Sequence, residues 1–274
     1  MTTDNITKFF PNYIVPGYNE SKLIDKISTF IAAAHTWAQT YIAPSSFIET
    51  HEELQDIYND IIAARALYLA APALDVTMHP NGLAVVNTDA LAPASAERSK
   101  EFRNALDRQL LDHIDAFLQH VTTSENIFPE YADTTPAKQI WLNTIFYDCN
   151  DLIAYTAIPY SWDSLINTIT KIQLREQEIA EKFISTELLK RFRSQKGPAG
   201  YITQTEILLT RELKIIISRY LNTESDITFN DMRRIVNTLR INQTIFPEWH
   251  TSETAKLFDP PVFRNQKHSG GYFF

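Results

Sequence analysis

The stretch NIFPEYADTTPAK, beginning at Asn126, returns 118 residues later as TIFPEWHTSETAK. Aligned on their isoleucines, Ile127 to Lys138 and Ile245 to Lys256 share Ile, Phe, Pro, Glu, Ala and Lys, with Tyr131 facing Trp249. Proline disfavours a helical conformation in the residue before it, so a helix running into Ile-Phe-Pro must end there. The Ile and Phe are then free to turn inward over the helix end, and the aromatic two positions beyond the proline adds a broad, partly polar contact. A chain that writes one helix stop twice is expected to hold two structural joints, at Ile127, Phe128, Pro129, Glu130 and Tyr131 and at Ile245, Phe246, Pro247, Glu248 and Trp249. It is also expected to have two similar packed helical halves, 20–132 and 133–258.

The segments between the stops read as helix. From Ser21 to about Tyr41, Leu23, Ile27, Phe30, Ile31, Ala34 and Ala38 recur at three- and four-residue steps, one buried helical face. Thr50 with Glu53 reads as a capping box, opening a helix that stops near Pro72. A further helix spans about Ser95 to Val121. In the second half, Thr135 and Pro136 predict a helix to about Tyr155. After Pro159 the pattern predicts one long helix through Phe192. Thr203 with Glu206 is a second capping box, and a last helix runs from about Thr228 to Asn242. Near residues 74–87 the period changes: LDVTM, HPNG and LAVVN read as a small β-hairpin turning on Asn81-Gly82. The chain holds only 6 glycines in 274 residues, where a usual level is about 7%. That scarcity argues against β-rich folds and phosphate-cradling loops, so the fold class is all-α in the main.

Two extended, aromatic arms flank this body, residues 1–19 and 259–274. The second carries Val262, Phe263, Tyr272, Phe273 and Phe274, an apolar content that a solvated tail rarely keeps. Either this arm folds back on its own domain or it inserts into a neighbouring subunit, for which these five are the candidate interface residues. No basic segment leads into an apolar core at the amino terminus, and no apolar run reaches the ~18 residues of a membrane span. The expectation is a cytoplasmic protein without membrane contact, unless it is built into a particle that leaves the cell.

Net charge is -8 with 21% charged residues, which disfavours indiscriminate nucleic-acid binding. Cys149, the single cysteine, reads as a free core thiol. No catalytic motif, phosphate loop or dinucleotide fingerprint is present, so no catalytic residue, cofactor or metal is assigned and a non-enzymatic role is expected. Two rival readings keep named residues. An enzyme, a hydrolase or a metal-dependent one, would draw on Asp112, His113 and His120 in a cleft between the halves. A nucleic-acid module would use Lys190, Arg191, Arg193 and Lys196, although positive charge at a helix carboxyl end also complements its dipole.

Several stretches together carry a resemblance: NGLAVVNTDALAPASAERSKEF, the IFPEY stop, the run from Trp141 through Ile184, and the IFPEW stop with its aromatic tail. They resemble an uncharacterised helical family encoded in prophages and related elements of gut anaerobic bacteria. The resemblance implies a setting among phage structural components. A virion component such as a head-tail connector or tail adaptor is the expected role, with a homo-oligomer and other virion structural proteins as partners.

Overall fold

The computed structural model describes residues 20–74, 77–79, 82–84, 95–123, 129–195 and 203–258. The arms 1–19 and 259–274, Ile127 and Phe128 of the first stop, Asn81 and Lys196 lie outside the described residues. What is described is mainly helical. In chain order the helices are α1 Glu20–Tyr41, α2 Ser45–Thr50, α3 Gln55–Leu74, α4 Ala96–Thr123, α5 Cys149–Thr156, α6 Trp162–Ile179, α7 Thr186–Ser194, α8 Gln204–Tyr220, α9 Phe229–Ile241, α10 Pro247–His250 and α11 Glu253–Lys256. Between α3 and α4, Thr77–His79 (β1) pairs antiparallel with Gly82–Ala84 (β2), with Met78 opposite Leu83.

Helix α3 packs on both α1 and α4, which explains why it is apolar nearly all round: Tyr58, Ile61, Ile62, Ala63, Ala64, Ala66, Leu67 and Ala70 are all buried. Pro72 stands inside α3, two residues from its end, where a missing amide forfeits one helical bond. One apolar cluster then extends from Ala34 to Ala255 and takes in Phe117, Tyr131, Phe192, Phe246 and Trp249. Three side chains from different segments close the carboxyl end of α1 by donating to successive carbonyls. Trp141 Nε1 reaches Tyr41 O at 3.3 Å, Tyr131 Oη reaches Ile42 O at 3.0 Å and Tyr58 Oη reaches Ala43 O at 3.0 Å. Carbonyls with no partner inside the helix are thereby satisfied in a buried place.

Three helix boundaries differ from the sequence expectation, each because a side chain competes for the backbone. Thr50 ends α2 and its hydroxyl donates to Phe47 O at 2.8 Å, so it forms no capping box for α3. The expected helix from Thr135 to Tyr155 is instead a π-helical turn, Ala137–Trp141, followed by a break and then α5. Carboxylates occupy that break: Glu176 accepts Ile145 N–H at 2.7 Å, and Asp148 caps α5 by accepting Asp151 N–H at 2.7 Å. The long helix after Pro159 is interrupted by a π turn, Ala180–Ile184, and by Ser185 at φ 82°, whose hydroxyl caps α7. The last of the expected helices, α9, ends at Ile241, within one residue of its expected end, and Asn242 Nδ2 donates to Thr238 O at 2.8 Å just beyond it. The Thr203–Glu206 capping box is present as expected.

Candidate interaction surface

The described positions of the motif share part of their geometry in the two copies. Pro129 opens a 3-10 turn, Pro129–Asp133, and Pro247 opens α10. The described parts of the motif thus begin helical turns, and the second copy lies beyond the helix end rather than at it. Tyr131 and Trp249 are both buried. As Tyr131 donates to Ile42 O, Trp249 Nε1 donates to Phe183 O at 2.8 Å, and Phe183 belongs to the π turn that ends the α6 run. Three residues on, Thr134 Oγ1 donates to Tyr131 O at 2.9 Å and accepts Ala137 N–H at 3.3 Å. Ser252 Oγ repeats both bonds, to Trp249 O at 2.6 Å and from Ala255 N–H at 3.1 Å. Phe246 is buried against Phe192, whereas Glu130 is exposed and Ile245 half-buried. Val262, Phe263, Tyr272, Phe273 and Phe274 lie outside the described residues.

The two arginines of the basic cluster are engaged internally, while Lys190 makes a surface pair. Arg191 binds Glu206, Glu248 at 3.0 Å and Ile245 O at 2.7 Å. Arg193 binds Glu176 at 2.7 Å, and Lys190 pairs with Glu187 at 2.8 Å. Glu206 and Glu176 are buried, so the two arginines neutralise carboxylates that would otherwise be stranded. Both arginines also lie in the last turn of α7, where positive charge complements the helix dipole. Asp112 and His120 are exposed on α4, and no group of three metal-capable side chains forms among the described residues.

Cys149 is buried at the start of α5. Burial pushes its thiol well up, with the neighbouring Asp115 and Asp148 charges adding to the rise, an environment in which thiolate chemistry is suppressed. Asp115 reaches over from α4 and accepts the amides of Cys149 and Asn150 at 2.6 and 2.8 Å. Burial raises its carboxyl to about 7, reinforced by Asp148 and opposed by those amides. The group caps a helix.

A cleft of about 270 Å³ lies where α1, α3 and α6 meet, lined by Trp37, Tyr41, Arg65, Trp162, Asp163 and neighbours. That is just under the ~300 Å³ at which small-molecule sites usually begin. The Arg65 guanidinium stacks over Trp37 at 5.0 Å and Tyr68 at 5.3 Å. Its Nε and Nη1 are buried without an acceptor among the described residues, as is Trp37 Nε1; the ring faces take up part of the cation's field instead.

A different kind of surface is found on α8 and α9. The two helices pack against each other, and the Arg234–Glu212 pair at 3.0 Å and the Arg219–Asp231 pair at 3.5 Å fix them as antiparallel. By that pairing Ile241 falls beside the first turns of α8. Ile207 (45% exposed), Leu208 (50%) and Ile241 (81%) therefore gather at one end of the helical pair, with exposed Ile215 two turns further along α8. The same two helices carry exposed arginines: Arg211, Arg219, Arg233, Arg234 and Arg240. Every acidic residue of these two helices is buried or half-buried and engaged, Glu206 with Arg191, Glu212 with Arg234 and Asp231 with Arg219. The outer face of α8 and α9 is thus apolar and cationic on a chain whose net charge is -8. Nothing in the sequence reading singled it out, because each of these residues also fits an ordinary amphipathic pattern.

No helix among the described residues is long and apolar enough to cross a membrane. Residues 10–139 match the model of a family of unknown function, DUF6712. The matched stretch takes in α1 to α4 and the first copy of the motif, while the second copy, 245–256, lies beyond it. No curated protein and no solved structure matches the chain.

Proposed function

We propose that this protein is a non-enzymatic assembly component that works by binding other proteins, and that its setting is a phage-type particle, as a head-tail connector or tail adaptor. One observation carries the reading: Ile207 and Leu208 on the first turns of α8 and Ile241 at the end of the antiparallel α9 are all exposed. Clustered exposed apolar side chains of this kind mark protein contact surfaces. The chain is organised as two similar helical halves, 20–132 and 133–258, with the β1–β2 pair as a small hairpin edge in the first. The matching hydrogen bonds of Tyr131–Thr134–Ala137 and Trp249–Ser252–Ala255 support that organisation. The arm 259–274, with Val262, Phe263, Tyr272, Phe273 and Phe274, adds contacts to a neighbouring subunit.

Light scattering over a concentration series tests the proposal. The expected result is a discrete multimer that shifts toward monomer when Leu208 and Ile241 are both replaced by Glu, and that weakens on removal of residues 259–274. A single-chain mass at every concentration, unchanged in these variants, would sink the self-assembly reading.

A further inference from the structure

The apolar and cationic face has a counterpart elsewhere on the same molecule. Between Lys26 and Arg65 the chain contains no lysine or arginine. Within that span Glu49, Glu52, Glu53 and Asp56 are all exposed, on the last turn of α2, the 3-10 turn Glu52–Leu54 and the first turn of α3. Part of this charge complements the amino-terminal dipole of α3. No ion pair among the described residues engages any of the four. Arg211, Arg233 and Arg240 on α8 and α9 likewise have no ion pair among the described residues. One molecule therefore displays an acidic edge in its first helices and an arginine face in its last ones, neither engaged by an ion pair among the described residues.

We infer that the α8–α9 face docks on the acidic α2–α3 edge of a second copy of this chain, in a head-to-tail contact. The inference rests on the assembly reading above and names its partner. Charge complementarity selects the occupant. A bare polyanion would satisfy the arginines but leave Ile207, Leu208 and Ile241 facing water, and the overall charge of -8 repels it. A second copy supplies carboxylates for Arg211, Arg233 and Arg240 together with protein surface to cover the isoleucines and leucine. Because the two patches differ, the contact is heterologous. Repeating it gives a closed ring when the rotation closes and a filament when it does not. Complementary charge at such a contact governs encounter rate and register more than total affinity, so assembly is expected to be salt-sensitive.

The test uses two full-length charge-reversed proteins, Arg211→Glu with Arg240→Glu, and Glu52→Lys with Glu53→Lys. All four positions are exposed and make no ion pair among the described residues, and circular dichroism verifies the fold of each variant. Analytical ultracentrifugation should show that each alone associates at least ~10-fold more weakly than the wild type. Mixing the two should restore association, since each then meets an opposite patch. Wild-type assembly that neither variant weakens, or that mixing fails to restore, overturns the inference while leaving the assembly reading in place. A wild type that never assembles overturns both. Binding of duplex DNA that the arginine variant loses and the wild type shows at physiological salt would assign the face to nucleic acid and overturn the self-contact.

Discussion

The two copies of the repeated motif use the same hydrogen bonds in different electrical surroundings. In both, the aromatic donates to a carbonyl at the end of a distant helical run, and a hydroxyl three residues on closes the turn onto a buried alanine. The shared lysines agree, since Lys256 pairs with Glu253 at 2.5 Å in an exposed contact as Lys138 does with Asp133, but the shared glutamates part company. Glu130 is exposed and Lys138 meets Asp133 in an exposed pair at 3.1 Å. Glu248 instead joins Arg191, which also holds the buried Glu206. Repetition in sequence therefore separates into a packing device, copied with its geometry, and polar residues whose role depends on what the neighbouring helix offers.

Removing a cation should magnify that difference. Arg191→Ala strands a buried carboxylate and is expected to cost about 3–5 kcal/mol, whereas Lys138→Ala removes a solvated pair worth about 0–1 kcal/mol. Urea denaturation of both variants measures the gap. Equal costs would mean that the Arg191 cluster is no more than a surface network, and the contrast would collapse.

The aromatic donors test the shared part. Tyr131→Phe leaves Ile42 O without its partner inside the protein, which is expected to cost about 1–3 kcal/mol. Trp249→Phe loses the corresponding bond to Phe183 O and also leaves space, so it should fall at or above the top of that range. A loss confined to one copy would show that only that copy works as a joint.

These residues also show what the sequence discloses. Apolar periodicity placed α1, α4, α8 and α9 to within a few residues because burial on one face is a local, repeating demand. The Thr203–Glu206 box was readable for the same reason: its partners are three residues apart. The breaks at 142–148 and at Ser185 were not readable, since the break before α5 depends on Glu176 arriving from α6, 31 residues away along the chain. Arg191 and Arg193 looked like a surface basic run because Glu206, Glu248 and Glu176 are distant in sequence. The α8–α9 face was hidden more simply: exposure is a property of what is absent from a neighbour list, and a helix pattern alone does not reveal which second face stays uncovered.

The contrast between regions extends to buried carboxylates. Glu176 and Glu206 each face an arginine, while Asp115 faces backbone amides and the carboxylate of Asp148. Burial raises Asp115 from 3.8 to about 7. Across that window the folded state holds more proton than the unfolded chain, so this group's contribution to stability is complete below about pH 4 and is lost as pH rises toward 7, with a slope of at most ~1.4 kcal/mol per pH unit. Asp115→Asn keeps an oxygen for one amide and removes the titration. Thermal unfolding measured from pH 4.5 to 7.5 should show a flatter profile for the variant. An unchanged slope would place the titration on Asp107, which burial raises to about 6.

The smallest expected effect is the sharpest test of equivalence between the copies. Thr134 and Ser252 both cap a short turn, and loss of such a cap typically costs ~1 kcal/mol. If the joints are one device used twice, Thr134→Ala and Ser252→Ala should agree within a few tenths of a kcal/mol, a resolution that paired denaturant midpoints reach when the slopes match. The double variant should equal their sum, since the two hydroxyls share no partner and distant sites add. Unequal single costs would trace to the surroundings, because Phe258 stacks on Trp249 at 6.4 Å beside the second cap while the first turn ends in the exposed Lys138–Asp133 pair. A sum that fails to add would point to the shared core between the joints as the coupling element, and the motif would then be one distributed hinge rather than two local ones.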